Sequence, residues 1–382
     1  FIMCFLSICA TAQTASQPAL YEGVVNSANR QQSIMSEITT SSARAGFSIN
    51  PQSPQNFADF TVAKIPGSTS APVVPIRTNA PKILMPSWTS TVVTTIKDSG
   101  IYTVIAKKTS SGTSTVVVTK TVLVNPAVVI IKTGAGNPVM FLPGFMSPGS
   151  IWQPTVNKLP ARIQSFMVSY AGFNGLAPVD TPWYPKLLQE LEYYIRENHL
   201  ANLVVVGHSM GGNLAVDLAA ALPDHVSKLI LVDAIPCQRE LMMPGVSASQ
   251  IQYESPYNKQ LLAMNDTAFN KMAKMMNGAM TSSPQGLDSL MKWAIAADRK
   301  TYVYGYTDLL KLDLRDKLKQ VKAPTLILGA SFPSAEIVQQ TFTKQYANLE
   351  QKSIEIASNS KHFIMFDQPE WLSQQINNFI TR

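Results

Sequence analysis

Ser209 lies in Gly207-His-Ser-Met-Gly211, a spacing that can expose a serine hydroxyl for attack on a carbonyl. The residues around it decide whether it does. Leu203 to Val206 is a continuous apolar, β-branched run, which reads as a strand buried on both faces. Leu214, Ala215, Leu218, Ala219 and Leu222 then repeat at helical spacing until Pro223 stops them. The motif therefore occupies a sharp strand-to-helix turn. The positions two before and two after the serine have no room for a Cβ, and Gly207 and Gly211 fill them. Ser209 is pushed out at the carboxyl end of a strand and the amino end of a helix, where backbone N–H groups and the helix dipole favour developing negative charge. The bare motif also occurs by chance, and Gly-rich strand–helix turns also bind phosphate. Here the strand, the helix and the doubled Gly211-Gly212 agree on a nucleophile. A serine hydroxyl is a weak nucleophile at neutral pH. It needs an imidazole to take its proton and a carboxylate to hold that imidazole in the right tautomer.

This stretch, with Phe141-Leu-Pro-Gly-Phe145 before it and His362 after it, resembles the α/β-hydrolase family over about residues 127–382. The resemblance implies a mostly parallel sheet with helices on both faces, a helical cap, and the chain order Ser, acid, His. Of the four histidines, His199 and His225 precede strands at their amino ends, and His208 adjoins the serine. His362 follows the last strand, and its setting, with Asp367-Gln-Pro369 close behind, looks like the family's histidine loop. The acid is open between two positions. The family most often places it after the strand that here ends at Gly329, where no carboxylate occurs before Glu336. Some members place it at the end of the strand after the elbow, where Asp233 stands, and Asp233 is preferred. Asp298, Asp308 and Asp313 are further candidates. The family's oxyanion loop has His-Gly where this chain has Pro143-Gly144. Its donors would be the backbone N–H groups of Phe145 and Met210.

The elements that must position these groups follow in order. Val128–Lys132, Pro138–Leu142, Phe166–Tyr170, Lys228–Pro236, Ala323–Gly329 and Ser353–Ala357 read as strands beside the elbow strand. Pro185–His199 and Glu370–Ile380 read as amphipathic helices. Between about 237 and 300 the sheet rhythm breaks into helical segments rich in Met, including Met242, Met243, Met272, Met275 and Met276. Each Met alone reads as core; together they suggest a lid over an apolar substrate.

Before residue 127 the texture differs. Within residues 76–126, Ser90–Ile96, Ile101–Ala106 and Thr113–Val124 alternate in strand fashion, and Asp98-Ser-Gly-Ile-Tyr102 resembles the tyrosine corner of immunoglobulin-like sandwiches. A small Ig-like module is expected there, with a β-extension of the hydrolase sheet as the alternative. Residues 13–75, rich in Ser, Thr, Asn and Pro, read as linker. Phe1–Ala10 followed by Ala10-Thr-Ala12 reads as a signal peptide whose basic start is missing, so export to a periplasmic or secreted location is expected. Cys4 and Cys9 would leave with it, and Cys237 would have no partner.

Composition narrows the function classes. The net charge of +7 over 382 residues is scattered, without a dense basic tract, so nucleic-acid binding is not inferred. No internal run of about twenty apolar residues marks a membrane span in the mature chain. No metal-ligand cluster or nucleotide loop is visible, and no cofactor is expected. The leading expectation is an exported serine hydrolase acting on a small apolar ester. Acyl transfer and lactone, amide or C–C bond hydrolysis would use the same groups. An inactive surface-binding protein is the reading from another class.

Overall fold

Strand and helix alternate along most of the chain because short apolar runs are separated by turn residues and amphipathic stretches. The computed structural model describes residues 126–382 in full and, ahead of them, the backbone of strands 57–64, 100–110 and 113–124. The chain divides into two compact units, with the boundary between Asn125 and Pro126. In the first, β1 (Phe57–Lys64), β2 (Gly100–Ser110) and β3 (Thr113–Val124) form an antiparallel sheet in the order β1-β2-β3. β1 lies inside the stretch read as linker. Its local pattern is weak, and pairing with β2 supplies the partner that the pattern does not announce. The signal-like start, the remainder of 13–75, the strand read at 90–96 and Asp98 all lie outside the described residues.

The second unit is built on β4 (Val128–Gly134), β5 (Asn137–Leu142), β6 (Ile163–Tyr170), β7 (Leu203–His208), β8 (Val226–Val232), β9 (Thr325–Ala330) and β10 (Lys352–Ala357). Their order in the sheet is β10-β9-β8-β7-β5-β6-β4. Only β4 runs antiparallel, on β6; every other pairing is parallel. The sheet is thus the mostly parallel one expected. β7 and β9 are buried at every position, whereas the edge strand β4 leaves Val129 and Ile131 exposed. The chain turns outward from β5 through β6, then returns to β5's other side with β7. That reversal makes the carboxyl ends of β5 and β7 a switch point, where open α/β sheets present a crevice.

Eleven helices accompany the sheet among the described residues: α1 (Gln153–Val156), α2 (Trp183–Glu197), α3 (Met210–Ala221), α4 (Gln238–Met242), α5 (Pro256–Ala263), α6 (Asp266–Gly278), α7 (Pro284–Ala296), α8 (Arg299–Lys311), α9 (Ala335–Gln345), α10 (Ile364–Asp367) and α11 (Pro369–Thr381). α4 to α8 form the insertion between β8 and β9. It runs to Lys311, past the expected limit near 300, because Asp298 caps α8 by accepting from the N–H and hydroxyl of Thr301, both at 2.7 Å. α2 begins at Trp183 rather than Pro185. Asp308 of α8 reaches across and accepts from the Trp183 and Tyr184 N–H groups at 2.7 and 3.1 Å, satisfying the start of a distant helix.

Glu190 fixes the start of the sheet. It is 5% exposed on α2 and accepts the N–H groups of Ala127 and Val128 at 2.7 and 3.2 Å. Burial raises its carboxyl to about 7, against the opposing pull of those two N–H donors. A raised acid pKa means the folded state holds the proton more tightly than the unfolded chain. Its stability is therefore full below the ordinary carboxylate range and falls as pH rises through about 7. Wild type is expected to lose on the order of 2–3 kcal/mol between pH 5 and 8 from this group. Glu190→Gln keeps an acceptor without the charge and should flatten that slope in chemical denaturation. An identical slope in the variant would remove Glu190 as the cause.

Candidate active site

The elbow is set by sterics. A Cβ on Gly207 would lie 2.2 Å from the Gly211 carbonyl oxygen, and one on Gly211 would lie 2.2 Å from that of Leu142. Only glycine permits so close a turn against β5. Ser209 itself sits at φ 52°, ψ −121°, a strained conformation for a residue with a side chain. Its N–H donates to Val232 O at 2.9 Å, and its own carbonyl accepts from Gly212 N at 2.9 Å. The backbone is therefore pinned on both sides while the hydroxyl faces the crevice.

The loop after β5 presses on the elbow. A Cβ at Gly144 would come within 3.3 Å of Ser209 Cβ. The buried Tyr170 hydroxyl donates to Pro143 O at 3.1 Å, and Ser147 N–H donates to Gly144 O at 3.1 Å, so the loop is anchored at both ends. Phe145 and Met210 flank Ser209. Among the described residues, neither N–H is engaged in a backbone or side-chain hydrogen bond. Met210 opens α3, where the first N–H groups of a helix have no internal acceptor.

Asp233 follows β8 at φ 42°. Its Oδ2 lies 2.6 Å from His362 Nδ1, and its Oδ1 accepts from Ala330 N–H at 2.9 Å. His362 lies in the loop after β10 and lines the same cavity as Ser209. The loop is clamped: Asp367 accepts from Lys361 N–H at 2.8 Å, from the Thr281 hydroxyl at 2.7 Å and from Ser282 N–H at 2.9 Å. The other carboxylates are occupied elsewhere. Glu336 is exposed in the first turn of α9, and its own backbone N–H and the Ser334 hydroxyl hold its carboxyl below the ordinary range. Asp298 caps α8, Asp308 caps α2, and Asp313 pairs with Arg315 at 2.6 Å. The structure thus brings Asp233 to His362 and leaves Glu336 at the surface.

The sequence profile described as "Alpha/beta hydrolase family" matches residues 139–375. The chain belongs to the alpha/beta hydrolase family. It is similar to the pimeloyl-[acyl-carrier protein] methyl ester esterase of Vibrio vulnificus, at 24% identity over 63% of this chain and 93% of that protein. It is also similar to monoacylglycerol lipase abhd6-B of Xenopus laevis, at 22% identity over 64% of this chain and 75% of that protein. Among solved structures, an esterase from Exiguobacterium antarcticum aligns with TM-score 0.55 at 21% identity, over 67% of this chain and 96% of that one. The enol-lactonase from Burkholderia xenovorans LB400 aligns with TM-score 0.54 at 14% identity, over 67% and 96%. The structural likenesses concern the fold.

In this hydrolase His208 does more than precede the serine. It is fully buried, and its Nε2 lies 3.0 Å from His362 O, which makes Nε2–H the donor. Its ring packs 4.7 Å from that of His362 and 4.8 Å from that of Phe363. Burial, and then the neighbouring His362, hold it well below the usual histidine range, so it stays neutral. His208 therefore tethers the backbone of His362 while Asp233 holds its ring. His208→Ala should leave that carbonyl unpaired and let the imidazole drift, lowering kcat for hydrolysis by about 10²-fold with little change in KM. A change confined to KM would argue against this tether.

The insertion covers the crevice. The cavity is lined by Ser209, His362 and residues of the insertion. Met272, Met276 and Met280 line it, whereas Met243 and Met275 are exposed and Met242 lies against the Tyr306 hydroxyl. The Met-rich segment is thus partly pocket and partly surface. The sequence reading passed over Tyr302 and Tyr306 of α8, which also line the cavity. Their one-turn spacing after a capping Asp298 was the available signal.

Proposed function

We propose that this chain is a carboxylic ester hydrolase working through Ser209, His362 and Asp233. The observation that carries this reading is the 2.6 Å contact between Asp233 Oδ2 and His362 Nδ1, in a cavity shared by His362 and Ser209. With Nδ1–H held by the carboxylate, Nε2 is the basic nitrogen and can accept the Ser209 proton. Ser209 Oγ then attacks the ester carbonyl, and the N–H groups of Phe145 and Met210 bind the resulting oxyanion. The tetrahedral species collapses, and His362 returns the proton to the departing alkoxide. A water, deprotonated by His362, attacks the acyl-enzyme; the carboxylic acid leaves and Ser209 recovers its proton. Relatives named as an esterase and a lipase support ester chemistry over the other bonds that such groups can cut. The two departures from the family pattern, Pro143 and the missing acid after β9, are compatible with activity. Tyr170 anchors the Pro143 carbonyl, and Asp233 supplies the carboxylate. We further propose export, on the strength of the signal-like residues 1–12.

The test is direct. The full chain should hydrolyse 4-nitrophenyl esters of graded acyl length and should be labelled by a fluorophosphonate, with the added mass on the peptide carrying Ser209. A protein inert to the whole panel and to the probe would overturn the reading.

A further inference from the structure

The backbone around His362 hangs on the insertion. Residues 280–283 join α6 to α7, and they hold both chain neighbours of the histidine, one directly and one through Asp367. On one side, the Phe363 N–H donates to Met280 O at 3.0 Å. On the other, the Lys361 N–H donates to Asp367 Oδ2 at 2.8 Å. Oδ1 of the same carboxylate accepts from the Thr281 hydroxyl at 2.7 Å and from the Ser282 and Ser283 N–H groups at 2.9 and 3.2 Å. The two oxygens of Asp367 thus face different elements, Oδ2 the histidine loop and Oδ1 the insertion. Packing runs along the same line. The Phe366 ring of α10 stacks on Trp293 of α7 at 6.1 Å between centroids, and a Cβ on Gly286 would come within 2.9 Å of Phe366. Hydrogen bonds to a carboxylate are about twice as strong as neutral ones, so this joint is a firm one. Met280, in the same segment, lines the cavity that Ser209 and His362 share.

We infer that Asp367 is a positioning residue for the base, and that it acts through residues 280–283 of the insertion. This rests on the reading of His362 as the base of an ester hydrolase. Asp233 orients the imidazole and His208 tethers the His362 carbonyl. Asp367 and Met280 fix the N–H groups on either side, and both of those bonds lead into the insertion. The insertion is therefore part of the support that aims the base, as well as a wall of the substrate cavity. A base displaced by about 1 Å can cost up to about 10²-fold in rate, so loosening this joint should be felt in kcat.

Two substitutions separate the two sides of the joint. Asp367→Asn keeps the shape but offers one acceptor oxygen and one donor NH₂ group, so either the histidine loop or the insertion loses its acceptor. Thr281→Val removes the hydroxyl on the insertion side and leaves the Lys361 bond in place. Turnover of a 4-nitrophenyl ester by the full chain is measured per active site, titrated to completion with a fluorophosphonate, so that a smaller folded fraction does not enter the result. Asp367→Asn should lower kcat about tenfold and Thr281→Val about threefold, with KM within about twofold of wild type. The double variant should lose no more than Asp367→Asn alone, because both cut the same link. Wild-type kcat per active site in Asp367→Asn, whatever its thermal stability, overturns the inference and leaves Asp367 a structural residue. Wild-type kcat in Thr281→Val beside a large loss in Asp367→Asn overturns it too, because Asp367 then acts within its own loop alone. Losses that multiply in the double variant also overturn it. Wild type that turns over no ester and resists the probe removes the underlying hydrolase reading, and this inference with it.

Discussion

Ser209→Ala is expected to lower kcat for 4-nitrophenyl ester hydrolysis by about 10⁶-fold and to abolish fluorophosphonate labelling. The size of the effect follows from what remains. Without Oγ there is no acyl-enzyme, and the oxyanion donors can act only on direct attack by water, which His362 is not placed to activate as well. Loss of the serine or the histidine of such a group costs nearly as much as loss of all three, because the members act as a unit, whereas loss of the carboxylate costs less. The substitution is also a clean one. Alanine retains the Cβ that already accommodates φ 52°, and the Ser209 N–H and carbonyl keep their bonds to Val232 and Gly212. Thermal unfolding should therefore shift by no more than about 2 °C, because the hydroxyl lines an open cavity and its removal leaves no void in packed core. Retention of more than about one per cent of wild-type kcat would mean that another group is the nucleophile.

How much of this was legible in the sequence depends on the distance over which each feature is decided. The elbow is local: strand, glycines and helix lie within one stretch, and the clash distances at Gly207 and Gly211 show why no other residue fits. The sheet strands were legible for the same reason, since buried parallel strands are written as continuous apolar runs. Features set by partners far along the chain were not. β1 is defined by pairing with β2, some forty residues on. The start of α2 is defined by Asp308, 125 residues away in sequence. The role of His208 could not be read from its position beside Ser209, because it depends on the carbonyl of His362 coming within 3.0 Å. Tyr302 and Tyr306 look like ordinary helix residues until α8 is laid over the crevice. The acid lies between these cases. The sequence favours Asp233 without excluding Glu336, since each follows a strand of the right kind. The difference between them is one of burial and reach, which only the packed chain displays.

That difference gives the second large effect. Asp233→Asn is expected to lower kcat by about 10⁴-fold, whereas Glu336→Gln should stay within about twofold of wild type. The argument turns on the two oxygens of Asp233. Oδ1 accepts from the Ala330 N–H at 2.9 Å, and Oδ2 faces His362 Nδ1 at 2.6 Å. In an asparagine, the amide oxygen would keep the Ala330 bond and the NH₂ group would turn toward His362. Two donors cannot share that contact, so Nδ1 would give up its proton and become the acceptor. The imidazole would then carry its proton on Nε2, where it cannot accept one from Ser209. The geometry survives while the tautomer is wrong, so substrate affinity should change little and the loss should fall on kcat. Glu336 is exposed on α9, and its hydrogen bonds go to its own backbone and Ser334. Neutralising it touches neither the imidazole nor the serine. Single-turnover kinetics on one nitrophenyl ester would resolve the pair. A large loss in Glu336→Gln beside a near-normal Asp233→Asn would transfer the role to α9, and would require the His362 loop to leave the position that its clamp to Asp367 now fixes.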